Sequence, residues 1–263
     1  MTVFWEIMVR AYQRQITYRA AAIAGLTTNL FFGFLKAAMV TAFYQSTSSM
    51  SGMDLRQAIT FTGISQGLLG FLSIFGTFDL MRTIYRGEVA TDLVKPVSFL
   101  GLWMARDFGQ SIAQLLLRGS VIFVVYSVFL NMQLPESLLQ WVCYALSLLL
   151  GWILCFMVRF LVNLSAFWSP DARGIARLAY ALILFFSGLL MPLRLFPEWV
   201  QNLAAWTPFP YILNTPMEVY TGVLQGPALL NALVLQVLWL MAMFLLTRLV
   251  WQQATRRLMV LGG

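Results

Sequence analysis

The chain contains no histidine and only two cysteines in 263 residues. Without imidazole, histidine-based acid–base catalysis and the common zinc sites are excluded. Cys143 and Cys155 fall in one predicted helix, about 18 Å apart at 1.5 Å per residue. They cannot bridge each other and read as small buried apolar residues. Charge is also scarce, since Asp, Glu, Lys and Arg make up 10% of the sequence. No acid falls inside a predicted membrane span, which counts against an ion-coupled carrier with carboxylates at membrane depth. There is no GxxxxGK[ST] phosphate loop, no metal-ligand cluster and no Ser/His arrangement. No catalytic residue and no metal ligand is therefore assigned, and a non-catalytic subunit is expected. Residues 1–19 lack the h-region and cleavage site of a secretory signal.

What is present is apolar. Hydrophobic residues make up 60% of the chain, mean hydropathy is +0.78, and several runs reach the roughly 20 residues that cross a bilayer as helix. The expected fold is an all-α polytopic membrane protein with six transmembrane helices, near residues 20–43, 58–78, 108–130, 138–163, 175–191 and 228–250. Gly63 and Gly67 form a GxxxG in the second span, read as close packing within one subunit. Residues 1–19 predict an amphipathic interfacial helix, with Trp5, Met8, Tyr12 and Ile16 opposite Glu6, Arg10, Gln13, Arg14 and Thr17. Such a helix lies against membrane lipid, and here it reads as a lever on the first span. The chain thus divides into this helix and a six-span domain, residues 20–263. Residues 193–226 hold four prolines and only three charges (Arg194, Glu198 and Glu218). That segment is too apolar for a free loop and too broken to span, so a re-entrant segment before the last span is expected.

The cations set orientation. Arg10, Arg14, Arg19, Arg82, Arg86, Lys95, Arg106, Arg173, Arg177, Arg256 and Arg257 fall on one predicted side, against Arg56 and Arg194 on the other. Both termini and residues 79–107 are expected in the cytoplasm, and the net charge of +7 reflects orientation, with no nucleic-acid partner implied. Within the spans, Arg159 and Arg248 are expected to snorkel to the near interface, and Lys36 to reach the outer one. Arg118 lies near mid-span, where insertion costs about 2.5–3.5 kcal/mol. It is read as lining a polar translocation path, with a shifted span boundary as the alternative.

Residues 79–107 hold eight charges: Asp79, Arg82, Arg86, Glu88, Asp92, Lys95, Arg106 and Asp107. Gly87 lets the chain turn, residues 88–94 can make about two helical turns, and Pro96 ends them. Glu88 and Asp92 are four apart and share a predicted face. Topology accounts for the cations here but not for these acids.

Two local patterns resemble a known family. Arg86-Gly87-Glu88-Val89, continuing to Asp92-Leu93-Val94-Lys95-Pro96, resembles the cytoplasmic coupling segment of the permease subunit of a type-two ABC exporter. Ser187-Gly188, Met191-Pro192, Phe196-Pro197-Glu198-Trp199, Pro208-Phe209 and Tyr211 resemble that family's signature around its outer re-entrant helices. The resemblance implies ATPase coupling through Arg86, Gly87, Glu88, Asp92 and Lys95. It also implies an extracellular gate around Pro192, Pro197, Trp199, Trp206 and Pro208. It implies separate ABC ATPase subunits that bind ATP and Mg, and a second permease subunit in a homodimer or heterodimer. The chain itself would carry no cofactor and would reside in a plasma membrane, of the bacterial inner-membrane type. An ATP-independent membrane scaffold and a secondary transporter subunit remain the alternatives.

Overall fold

The computed structural model describes residues 2–17, 19–46 and 52–257, and among these there is no strand. Helices α1 (Thr2–Thr17), α2 (Arg19–Ser46), α3 (Leu55–Leu72), α4 (Asp79–Tyr85), α5 (Val89–Leu93) and α6 (Phe99–Gln114) come first. A π-helical turn, Leu115–Gly119, joins α6 to α7 (Ser120–Phe129) without interruption. Then follow α8 (Leu138–Leu164), α9 (Arg173–Phe186), α10 (Glu198–Ala205), α11 (Asn214–Tyr220) and α12 (Gly226–Thr255).

Among the described residues four helical stretches are long and apolar enough to cross a membrane: Ile23–Gln45, Phe99–Phe129, Leu138–Phe167 and Gly226–Thr255. The second and fifth predicted spans correspond to α3, of 18 residues, and α9, of 14, which fall outside that set. The reason in α3 is its surroundings. Thr60, Thr62, Ser65 and Gln66 are all buried there, so protein atoms and not lipid face its polar groups. The Thr62 and Ser65 hydroxyls donate to the carbonyls of Ala58 and Phe61. Gly63 and Gly67 act within the subunit, as expected. A Cβ on Gly67 would meet the Gly119 carbonyl oxygen at 3.3 Å, and one on Gly63 would meet the Met132 sulfur at 2.8 Å.

The third predicted span begins earlier than residue 108. Ser98 caps α6 by accepting from the Gly101 N–H at 3.2 Å, and the helix then runs unbroken through Arg106 and Asp107. The charged loop is therefore shorter than residues 79–107, and its last two charges belong to a long helix. Within the loop, Gly87 takes φ +71°, the left-handed turn expected of it. The helix after it, α5, is only five residues long.

Helix α1 docks on α6, where a lever on the first span was expected. Ala11 is buried, and a Cβ on Gly109 would collide with the Met8 carbonyl oxygen. Absence of a side chain at Gly109 is thus what allows the two backbones to touch. Trp5 remains 63% exposed.

Candidate functional site

The charges gather at the end of the bundle formed by α4, α5, the start of α6 and the end of α8. Asp107 accepts from both terminal nitrogens of Arg159, at 2.7 and 2.8 Å, and from Trp152 Nε1 at 3.1 Å. Arg159 is 2% exposed and Asp107 is 7% exposed. Two sequence expectations are corrected here: Arg159 does not snorkel, and an acid does lie within a long apolar helix. The physical cause is pairing, since a bidentate carboxylate–guanidinium contact neutralises two charges that neither helix could bury alone. Asp107 on α6 and Arg159 on α8 thus tie two long helices together.

Asp92 is likewise buried, at 3% exposure. It accepts from Lys95 Nζ, and from Arg106 through both terminal nitrogens at 3.0 and 3.1 Å. Glu88 is exposed and, among the described residues, its carboxylate pairs with Arg86 alone, at 3.9 Å. The two acids do not present paired charge to one outside surface. Asp92 instead fastens the loop to α6, while Arg86, Glu88, Leu93 and Val94, the last 84% exposed, form the outward face. Lys95 is spent on Asp92. Tyr85 extends the clamp by accepting from the Ala172 N–H at 2.7 Å and donating to the Ser169 carbonyl at 3.2 Å. The break between α3 and α4 is pinned by Asn163, which donates to the Thr77 carbonyl at 2.9 Å and accepts from the Met81 N–H at 3.1 Å.

Arg86, Glu88, Arg106, Asp107, Arg159 and Asn163 line a cavity of about 360 Å³ together with Arg14 of α1, while Asp92, Lys95 and Tyr85 lie outside its lining. A second cavity of about 380 Å³ shares Arg14, Thr77, Asp79 and Gln110 with the first and reaches Gln114 and Arg118. The Arg118 guanidinium lies over Gly25 of α2. Asp107, Gln110, Gln114 and Arg118 follow one another at helical spacing on α6 and the π turn, so they form a continuous polar stripe. Trp103 Nε1 is a buried N–H without an acceptor among the described residues, a state that costs about 1–3 kcal/mol.

At the opposite end α11 is buried along its whole length, although its sequence was read as part of a dipping loop. Its backbone is completed by amide side chains from elsewhere. Gln57 and Gln133 donate to the Thr221 carbonyl at 3.2 and 2.8 Å. Gln140 donates to those of Val219 and Tyr220 at 3.1 and 2.8 Å. Gln236 of α12 donates to the Tyr211 carbonyl at 2.8 Å. These glutamines were invisible as a set, because three different helices and a loop bring them together. Glu218 is buried and pairs with Arg194 at 2.7 Å. Lys36 of α2 donates to the Leu189 carbonyl at 2.8 Å, beside Gly188 at φ +83°. Among the expected gate residues Pro192 is buried, Pro208 is half-buried, and Pro197 starts α10 as its N-cap. Trp199 and Trp206 face outward, at 68% and 84% exposure.

This arrangement of long apolar helices, an unsupported short helix completed by buried amides, and a charged clamp defines a multi-pass membrane protein. The sequence matches the family described as ABC-2 family transporter protein over residues 30–262. No curated protein matches it. The chain belongs to the ABC-2 transporter family, as a permease subunit of an ABC transporter.

Proposed function

We propose that this chain is a permease subunit of an ATP-driven exporter, working with a second permease and with separate ATPase subunits that bind ATP and Mg. In this reading α3 and α9 complete six spans, residues 193–226 enter the membrane from outside and return, and both termini lie in the cytoplasm of a plasma membrane. Arg86, Gly87, Glu88 and the exposed Leu93 and Val94 form the ATPase contact. Force applied there passes through the Asp92–Arg106 pair into α6, and from α6 into α1 at Gly109. The outward tryptophans Trp199 and Trp206 sit at headgroup depth, where aromatic residues anchor, and the prolines hold the outer closure in a fixed turn. The observation that carries the reading is the Asp92 clamp. A loop that served only topology gains nothing from burying a carboxylate between two cations.

Orientation is tested by cysteine labelling. Thr91 lies on the exposed face of α5, and Thr91→Cys is expected to resist an impermeant maleimide in intact cells and to react after permeabilisation. Labelling from outside would place the clamp on the wrong side for any ATPase. Ser48, a natural outer control, lies outside the described residues. Co-purification with an ATPase and ATP-dependent flux in vesicles separate this reading from a scaffold or a secondary transporter.

A further inference from the structure

We infer that Tyr85 and Tyr180 are positioning residues that lock α4 and α9 into one unit, so that α9 carries motion of the charged loop to the outer segment. This rests on the reading of residues 86–94 as the ATPase contact, and it adds a second branch beside the one through Asp92 into α6. The two tyrosines are reciprocal. Tyr85, the last residue of α4, reaches the start of α9, where its hydroxyl accepts from the Ala172 N–H at 2.7 Å and donates to the Ser169 carbonyl at 3.2 Å. Tyr180, about two turns into α9, reaches back to the break before α4 and donates to the Thr77 carbonyl at 3.2 Å. Its ring meets Phe78 edge-on at 5.7 Å and occupies the place of a Gly76 side chain, since a Cβ there would collide with it. Gly76 takes φ +77°, so the turn and the missing side chain both serve this contact. Thr77 and Tyr85 are as far apart in sequence as Ala172 and Tyr180. One such contact would be a hinge; two at opposite ends of the segment fix its orientation.

The far end of α9 touches the outer segment. Phe185 meets Phe196 edge-on at 5.2 Å, and Phe186 stacks on Phe209 with centroids 6.3 Å apart. Phe196 precedes Pro197 and Phe209 lies between Pro208 and Pro210, where proline limits local bending. Just past α9, Gly188 brings the backbone against Asn214, the first residue of the buried α11, and a Cβ at Gly188 would lie 2.7 Å from Asn214 Oδ1. Helix α9 has 14 residues and so a length of about 20 Å. It joins the cytoplasmic loop to the outer closure in one piece. Packing from end to end does not by itself couple two sites. Anchorage at two points adds what coupling needs, because a displacement of α4 then has no hinge in which to be absorbed.

Hydrogen–deuterium exchange on the full-length chain in detergent, without any ATPase, tests the unit. Tyr85→Phe keeps the ring and removes both hydroxyl contacts. Exchange is expected to rise about fivefold through residues 79–85 and through α9 as far as Phe186, the equivalent of one hydrogen bond of about 1 kcal/mol. Tyr180→Phe is expected to do the same. Tyr44→Phe removes a hydroxyl contact of 2.9 Å to the Met53 carbonyl, remote from both tyrosines, and should leave both segments unchanged. Acceleration confined to the residues beside each lost hydroxyl overturns the proposal. The assembled complex gives a readout that a merely structural role would not move: the change in exchange at residues 193–211 between nucleotide-free and ATP–vanadate states. Either tyrosine variant is expected to lose at least half of that change while the ATPase still protects residues 86–94. A full response in both variants overturns the proposal. Residues 86–94 left unprotected by the ATPase would instead count against the ATPase contact, with the exchange of the chain alone still deciding whether α4 and α9 are one unit.

Discussion

Asp107→Leu is expected to destabilise the protein by about 3–5 kcal/mol, because it leaves Arg159 charged and unpartnered in an apolar interior. The pair is nearly dry, with side-chain exposures of 8% and 2%, so water cannot replace the lost carboxylate. Trp152 loses an acceptor in the same step, though Ser111 remains at 3.0 Å. The sign reverses when both charges go. Asp107→Leu with Arg159→Leu restores an apolar contact between α6 and α8, and buried pairs replaced in this way are often neutral or better. Thermal unfolding of the full-length protein in detergent, followed by protease resistance, checks this. A double variant no more stable than the single one would show that the loss comes from packing and not from an uncompensated charge.

Asp92→Ala is expected to act differently. Lys95 and Arg106 keep 39% and 32% of their side chains in water, so both cations can be resolvated when the acid goes. The stability loss should be about 1–2 kcal/mol, well below the buried pair. The larger effect is on coupling: with the loop unfastened from α6, transport per ATP hydrolysed is expected to fall about tenfold, the equivalent of roughly 1.4 kcal/mol, while hydrolysis continues. Glu88→Ala, on the exposed face, should weaken ATPase association and leave the melting temperature unchanged. Measuring flux and turnover together in vesicles separates the two. If Asp92→Ala transports normally for each ATP consumed, the clamp is not the route by which force enters the bundle.

The sequence located the concentration of charge but described its pairing less well. The concentration of charge between two apolar runs was plain, as were the turn at Gly87 and the long apolar helices α2, α8 and α12. The errors share one physical origin. Arg106, Asp107 and Arg159 were each read as single charges that needed water, which put the first two in a loop and the third at an interface. Their partners sit 14 and 52 residues away in the chain, and only the fold shows that they cancel. The same holds for α3, whose threonines and glutamines lower its hydropathy but face protein. In residues 193–226 the prolines correctly signalled a broken path. Nothing local showed that residues 214–220 would be buried along their whole length.

The glutamine-completed α11 also constrains how the protein is made. At seven residues it rises only about 10 Å and cannot enter a bilayer by itself. Its exposed carbonyls find partners on Gln57, Gln133 and Gln140, which precede it in the chain, while the nearby Tyr211 carbonyl waits for Gln236, which follows. During synthesis the turn that leads into the segment therefore lacks a partner at Tyr211 until α12 has emerged, and the segment is expected to settle last. A ribosome-bound chain ending before α12 is expected to leave residues 214–220 open to protease, and one extended past Gln236 to protect them. Early protection would mean that the preceding helices suffice to seat it. The final span is thus a membrane anchor and also a latch, closing over a piece of backbone that could not have been inserted in its own turn.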